Sequence, residues 1–306
     1  MSTVAGLVPG HRLRRLELTI TRRLAGLLRG EYAGLLPGAG TEPAGSREYR
    51  PGEDEVRRID WAVTARTGTA HVRDTIAERE LAVHVLVDGS ASMDFGTVEL
   101  EKRELAVAAV AAVGLITAGP GNRIGADLLG PYGIRRFPAR GGRVHLLWLL
   151  HTMLAAPRAA DGSGTTPLAP ALHGLHRGLR RRGLVVVVSD FLDDGDWATP
   201  LRRLAARHQV IGVEITDPRE LELPDVGLLT VLDPETGRRR EIATGSRAVR
   251  ERFAAAAAEQ RRTVRDRLRG AGVAHVALRT DRDWVADLAR HVHRQRRLAN
   301  AHRRRA

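Results

Sequence analysis

From residue 81 onward, short apolar runs alternate with longer segments whose apolar residues recur every three or four positions. The run Leu81-Ala82-Val83-His84-Val85-Leu86-Val87 predicts a buried strand, and 98–118 predicts the helix that follows it. Segments 123–129 and 133–137 read as strands, and 143–154 and 167–181 as helices. The β-branched run 184–188 is a further strand that ends at Ser189-Asp190. Helix 197–208, strand 210–215, long helix 247–269, strand 273–278 and helix 284–297 complete the series. Such alternation predicts βαβ units and a mainly parallel sheet covered by helices, an α/β fold. One pair breaks the rhythm. Segments 228–232 and 239–242 flank Asp233-Pro234-Glu235-Thr236-Gly237 and read as a hairpin inserted between the last two strand–helix repeats.

The first 80 residues follow a different pattern. Apolar residues at 13, 16, 20, 24, 27 and 28 predict a helix with arginines between them. The charged stretch from Arg47 to Glu55 holds a Pro-Gly turn signal, and 59–63 and 70–76 read as short extended pieces. The expected organisation is therefore an N-terminal helix and β-rich extension over 1–79. An α/β domain over 80–298 follows, with the hairpin inserted at about 217–243, and a basic tail over 299–306 ends the chain.

Composition narrows the function classes. The chain has 306 residues, enough to bury a large core. Cysteine is absent, which excludes disulfides and thiolate metal sites and suits a reducing, cytoplasmic setting. The N-terminus shows no signal peptide pattern, and the longest apolar stretch, 105–119, is shorter than the roughly 20 residues a spanning helix needs. The net charge is +13, but of 49 basic residues one is a lysine, Lys102, and the rest are arginines. That bias reads first as a solvated arginine surface and second as an attraction for acidic partners. Aromatic residues are only 4% of the chain, which argues against stacking on single-stranded nucleic acid. No Gly-x-x-x-x-Gly-Lys-Ser/Thr motif is present, so the chain carries no P-loop.

The candidate chemistry lies at strand ends. Asp88-Gly89-Ser90-Ala91-Ser92 leaves the first strand of the alternating region, and Asp190 leaves the strand at 184–188. Thr166 lies between them, just before Pro167-Leu168 opens a helix. In open α/β sheets, ligands bind at the carboxyl ends of the strands. Asp88, Ser90, Ser92, Thr166 and Asp190 together form a hard-oxygen set suited to Mg²⁺ or Mn²⁺. Two carboxylates roughly neutralise the cation, and a partner's Asp or Glu is the favoured ligand for the remaining position.

These residues resemble the metal-ion-dependent adhesion site of von Willebrand factor A domains. The resemblance implies a von Willebrand factor A-like, doubly wound, mainly parallel sheet that binds acidic groups of partner proteins through the ion. A second resemblance covers about 13–297. Arg47-Glu48-Tyr49-Arg50-Pro51-Gly52-Glu53-Asp54, Arg57-Arg58-Ile59-Asp60-Trp61, Ser92-Met93-Asp94-Phe95-Gly96, Leu223-Pro224-Asp225-Val226-Gly227 and Asp233-Pro234-Glu235-Thr236-Gly237 are similar to the bacterial family catalogued as domain of unknown function 58. Members often lie beside MoxR-type AAA+ ATPases, so the resemblance implies a chaperone-like or complex-assembly pairing.

The expected function is thus a non-enzymatic, divalent-metal-dependent protein-binding module, a partner or adaptor of a MoxR-type ATPase or of its client. Two other classes compete. A metal-dependent phosphoester hydrolase would need a base poised over the ion. An arginine-driven nucleic-acid binder would show salt dependence without metal dependence. A serine hydrolase lacks its Gly-x-Ser-x-Gly frame, and the histidines form no zinc signature.

Overall fold

The computed structural model describes residues 46–50, 56–73, 81–160, 162 and 167–303. The helix expected at 13–28 lies outside them. The main sheet has six strands: β3 (Ala82–Asp88), β4 (Arg123–Gly130), β5 (Gly133–Arg140), β6 (Leu184–Ser189), β7 (Gln209–Thr216) and β10 (Ala274–Arg279). Their spatial order is β10-β7-β6-β3-β4-β5. All pairs are parallel except β4–β5, which closes one edge as an antiparallel hairpin. The chain leaves β3 for β4 on one side and later returns to β6 on the other. The boundary between β3 and β6 is therefore the switch point of the sheet. This is a mainly parallel, doubly wound α/β order.

Both faces of the sheet are covered, which is why its strands read as continuous apolar runs. Val83, Val85 and Val87 of β3 and Leu184, Val186 and Val188 of β6 face one layer of helices: α2 (Lys102–Ile116), α3 (Arg143–Leu154) and α7 (Trp284–Arg303). Leu86, Val185 and Val187 face the other layer: α4 (Leu168–Gly178), α5 (Ala198–Ala205) and α6 (Arg247–Gly270). Helix α2 is almost wholly buried and rich in alanine. Small side chains let it lie close against the sheet. Its start is fixed by a capping box between Glu101 and Glu104.

Two small ribbons stand outside the main sheet. β1 (Ser46–Glu48) pairs antiparallel with β2 (His71–Arg73), and β8 (Leu228–Leu232) pairs antiparallel with β9 (Arg239–Ala243). The hairpin enters the chain between β7 and α6, where its turn signal put it. One expectation fails. Only Ile59 of residues 59–63 is extended, in a bridge to Val72; α1 (Trp61–Thr67) begins just after it. Asp60 accepts hydrogen bonds from the backbone of Ala62 and Val63, and Gly68 ends the helix in the left-handed region at φ 74°. The cap signals on both sides outweigh the extended look of Ile59-Asp60-Trp61. Trp61 of this helix and Val56 of the 3₁₀ turn before it remain exposed.

Candidate functional site

The site is built where β3 and β6 end side by side. Asp88 closes β3, and the next residue must be small. Gly89 donates to the carbonyl of Leu129 at 2.7 Å, and a Cβ at Gly89 would lie 2.8 Å from that oxygen. The chain then turns through a short 3₁₀ segment, Ala91–Asp94, anchored by the fully buried Met93. Asp94 is spent on structure. It pairs with Arg103 of α2, which also donates to the carbonyl of Ala156.

Across the switch point, Asp190 and Phe191 turn the chain out of β6. Phe191 sits at φ 54°, the only described non-glycine residue at positive φ. Such a conformation is strained for a bulky residue and is common at functional sites. Packing holds it there, since the Phe191 ring is buried against Trp197 at 5.1 Å between centroids. Ser189 stitches the two ends together: its hydroxyl donates to Asp88 Oδ2 at 2.6 Å and accepts from the Phe191 amide.

Four of the five expected residues come together. The Ser90 amide donates to Asp88 Oδ1 at 2.9 Å. Ser90 Oγ lies 3.1 Å from Ser92 Oγ, and Ser92 Oγ donates to Asp190 Oδ2 at 2.7 Å. All four side chains are buried. Thr166 lies outside the described residues. The helix that follows it is tied to the same region, because the Leu168 amide donates to Asp193 on the loop after β6.

The site also contains a residue that sequence reasoning did not assign to it. Lys102 opens α2 and is completely buried. Its ammonium donates to Asp190 Oδ2 at 2.8 Å and pairs with Glu220. Glu220 in turn accepts from the amide of Asp217. The Asp217 carboxylate is held by Thr97, Thr280 and the Arg219 amide. A signal for Lys102 was present: a chain that otherwise uses arginine keeps one lysine.

The electrostatics divide these groups. Burial pushes the Asp88 carboxyl up to about 6, and the neighbouring charge of Asp190 adds to the rise. Burial acts on Asp190 in the same direction, but the Lys102 ammonium and the Ser92 hydroxyl outweigh it and hold Asp190 below its ordinary value. Burial would lower Lys102, yet Asp190 and Glu220 together raise it, so it stays protonated at neutral pH. Glu235, in the turn of the β8–β9 hairpin, is pushed up to about 7 by burial and by the charges of Asp190, Asp88, Asp233 and Asp193.

This donor set is compatible with a small hard cation. Ligand bonds of about 2.1 Å in an octahedron put adjacent oxygens about 3.0 Å apart. The spacings from Ser90 Oγ to Ser92 Oγ and from Ser92 Oγ to Asp190 Oδ2 bracket that value. A cation there would also offset the charge that burial penalises on Asp88. Among the described residues, no group of three or more His, Asp or Glu forms a metal cluster, so the candidate site depends on hydroxyls. Lys102 already neutralises part of its negative charge.

A chain built this way is a doubly wound α/β protein with a polar cluster at its switch point. It belongs to the family described as Protein of unknown function DUF58, which it matches over residues 45–263. An uncharacterized protein of Mycobacterium tuberculosis is 50% identical over 94% of this chain and 90% of its own length. An uncharacterized protein of Mycobacterium avium is 45% identical over 55% of this chain and 98% of its own length. Among solved structures, an aerotolerance-related membrane protein from Bacteroides fragilis is 13% identical, covering 71% of this chain and 98% of that one, with a TM-score of 0.44. The von Willebrand factor A domain of SpRpn10 is 14% identical, covering 68% and 93%, with a TM-score of 0.36. Among the described residues, no helix is long and apolar enough to cross a membrane.

Proposed function

We propose that this protein is a non-enzymatic binding module that captures an acidic side chain of a partner through Mg²⁺ or Mn²⁺ held by Asp88, Ser90, Ser92, Thr166 and Asp190. The observation that carries the reading is the convergence of four of these side chains at the switch point, with Asp88, among the described residues, lacking a cationic neighbour of the kind Asp190 has. In this reading Asp88 and Asp190, directly or through water, hold the ion together with the hydroxyls of Ser90, Ser92 and Thr166, and the open position takes the partner's carboxylate.

The resemblance set out above favours a MoxR-type AAA+ ATPase, or its client, as that partner, in a cytoplasmic complex-assembly role. The chain carries no P-loop motif, so in such a pair the ATPase supplies the energy.

Hydrolysis has less support. A serine nucleophile needs a nearby base. The Ser92 hydroxyl donates to a carboxylate that is itself paired, and Lys102 is held protonated by two carboxylates. The test is affinity capture of the ATPase and client from a native lysate, in Mg²⁺ and in chelator, with wild type and Asp88→Ala. Capture should require both the ion and Asp88. Capture that survives chelator and Asp88→Ala overturns the adhesion reading.

A further inference from the structure

Much of the arginine surface of this chain is neutralised where it stands. Along α6 and α7, Arg247 pairs with Glu251, Arg262 with Glu259, Arg269 with Asp266 and Arg290 with Asp287, each about one helical turn away. One face departs from that rule. From 128 to 160 the sequence holds five arginines and two histidines but no Asp or Glu. This stretch folds into the edge strand β5 and the helix α3, which meet through Phe137 and Trp148. Arg136 lies 3.7 Å from the buried Asp127, and Arg158 reaches Glu101. Among the described residues, Arg135 and Arg140 form no ion pair, and both are exposed.

The same face leaves apolar side chains in solvent. Val144 is 84% exposed, Trp148, one turn further along α3, is 47% exposed, and Tyr132, between β4 and β5, is 87% exposed. Trp148 is held in place: it stacks on His145 and meets the buried Phe137 ring edge-on, each at 5.7 Å between centroids. The Arg135 guanidinium lies 5.2 Å from the centre of the Phe137 ring. At the start of α3, a cleft of about 200 Å³ is lined by Leu115, Ile124, Leu146, Arg140 and Arg143. Such a space suits one large apolar side chain. The strand edge itself is blunted against strand addition. Pro138 has no amide to donate, and the register of β5 slips between Phe137 and Arg140. The face therefore offers side chains rather than backbone.

We propose that the β5–α3 face is a docking surface for an acidic segment of a partner protein, its carboxylates meeting Arg135 and Arg140 and its apolar residues packing on Val144, Trp148 and the cleft beside them. Charge decides the occupant. A second copy of this chain would set the same arginines against each other, and like charges across an interface repel. A nucleic acid would use a free aromatic face, and the Trp148 ring is already stacked on His145. An acidic segment with apolar anchors complements both features, as an apolar centre with a charged rim does in protein interfaces. This surface is separate from the strand-end cluster and needs no cation.

The experiment uses the full chain and two labelled glutamate-rich peptides of equal length, one with a central Leu-Phe pair and one with Ser-Ser in its place. Fluorescence anisotropy gives the affinities, and thermal melts confirm that each variant is folded. The Leu-Phe peptide should bind about tenfold tighter than the Ser-Ser peptide. The double variant Arg135→Glu/Arg140→Glu should weaken both peptides about tenfold. Val144→Ser and Trp148→Ala should weaken the Leu-Phe peptide alone. As a control, Arg252→Glu/Arg265→Glu makes the same charge change at exposed positions of α6 and should cost no more than about twofold. Chelator and Asp88→Ala should leave peptide binding unchanged. Equal binding of the two peptides, an equal loss in the control pair, or no binding of the Leu-Phe peptide to wild type overturns the proposal. So does an oligouridylate of equal charge that binds more tightly than the Leu-Phe peptide and loses that binding in Arg135→Glu/Arg140→Glu, which would assign the face to nucleic acid.

Discussion

Asp88 and Asp190 lie at the ends of neighbouring parallel strands, are both buried, and meet opposite electrostatic fates. Asp190 belongs to a compensated half of the site, where Lys102 stands between it and Glu220 and a hydrogen-bonded chain runs on to Asp217. Asp88 belongs to an uncompensated half. Its oxygens accept from Ser189 and from the Ser90 amide, and the charge that bears on it is the carboxylate of Asp190. Hydrogen bonds alone do not offset a buried charge as well as a counter-ion does. The fold thus supplies its own cation to one aspartate and, among the described residues, none to the other.

The strongest way to break this comparison is to remove the internal cation. Lys102→Met keeps length and apolar bulk but leaves Asp190 and Glu220 buried without their partner. It should destabilise the fold by about 3–5 kcal/mol in urea unfolding. Added Mg²⁺ should restore part of the loss in the variant by taking over the role of the ammonium. Destabilisation that Mg²⁺ leaves untouched would mean that the two halves do not share an electrostatic site.

A smaller effect is expected on the other side, with the opposite sign. Because the folded-state value of Asp88 is raised from 3.8 to about 6, its ionisation opposes folding, and stability falls as pH rises through that interval. At pH 7 the penalty is on the order of 2–3 kcal/mol. Asp88→Asn keeps an acceptor for the Ser90 amide and offers a donor to Ser189. In chelator it should raise the stability at pH 7 by about that amount and flatten the pH dependence between about 4 and 6. Unfolding curves for the variant that run parallel to wild type across this range would show that Asp88 is compensated after all.

The smallest change sharpens the contrast. Ser189→Ala removes the hydroxyl that bonds Asp88 and receives the Phe191 amide. It should cost about 1 kcal/mol and move the pH-dependent loss of stability to higher pH, because Asp88 loses a bond that favours its charged form. Thermal melts from pH 4 to 8 read both effects. An unchanged pH profile would mean that Ser189 positions Phe191 without influencing Asp88.

Much of this was legible along the chain. The strand–helix rhythm after residue 81 follows from side-chain period, and a sheet covered on both faces has to show continuous apolar strands. The pentapeptide at Asp88 and the strand-end Asp190 stood out because polar groups that follow buried strands must emerge at the rim. Thr166 was part of the same pattern. Local capping at Asp60 and Gly68 was equally written in the sequence, and the extended reading of 59–63 passed over it.

What the sequence determined, then, is whatever depends on local period and turn chemistry: the elements, their alternation, the inserted hairpin and the candidate residues at strand ends. What the tertiary structure alone decided is who faces whom. Lys102 lies 88 positions from Asp190 and 118 from Glu220 along the chain. The β8–β9 turn docks on Gly162, distant along the chain, through the Pro234 carbonyl. Charge pairing acts through space and depends on burial, so no window along the chain contains it. Which of the two aspartates is given a counter-ion is fixed by the winding of the sheet.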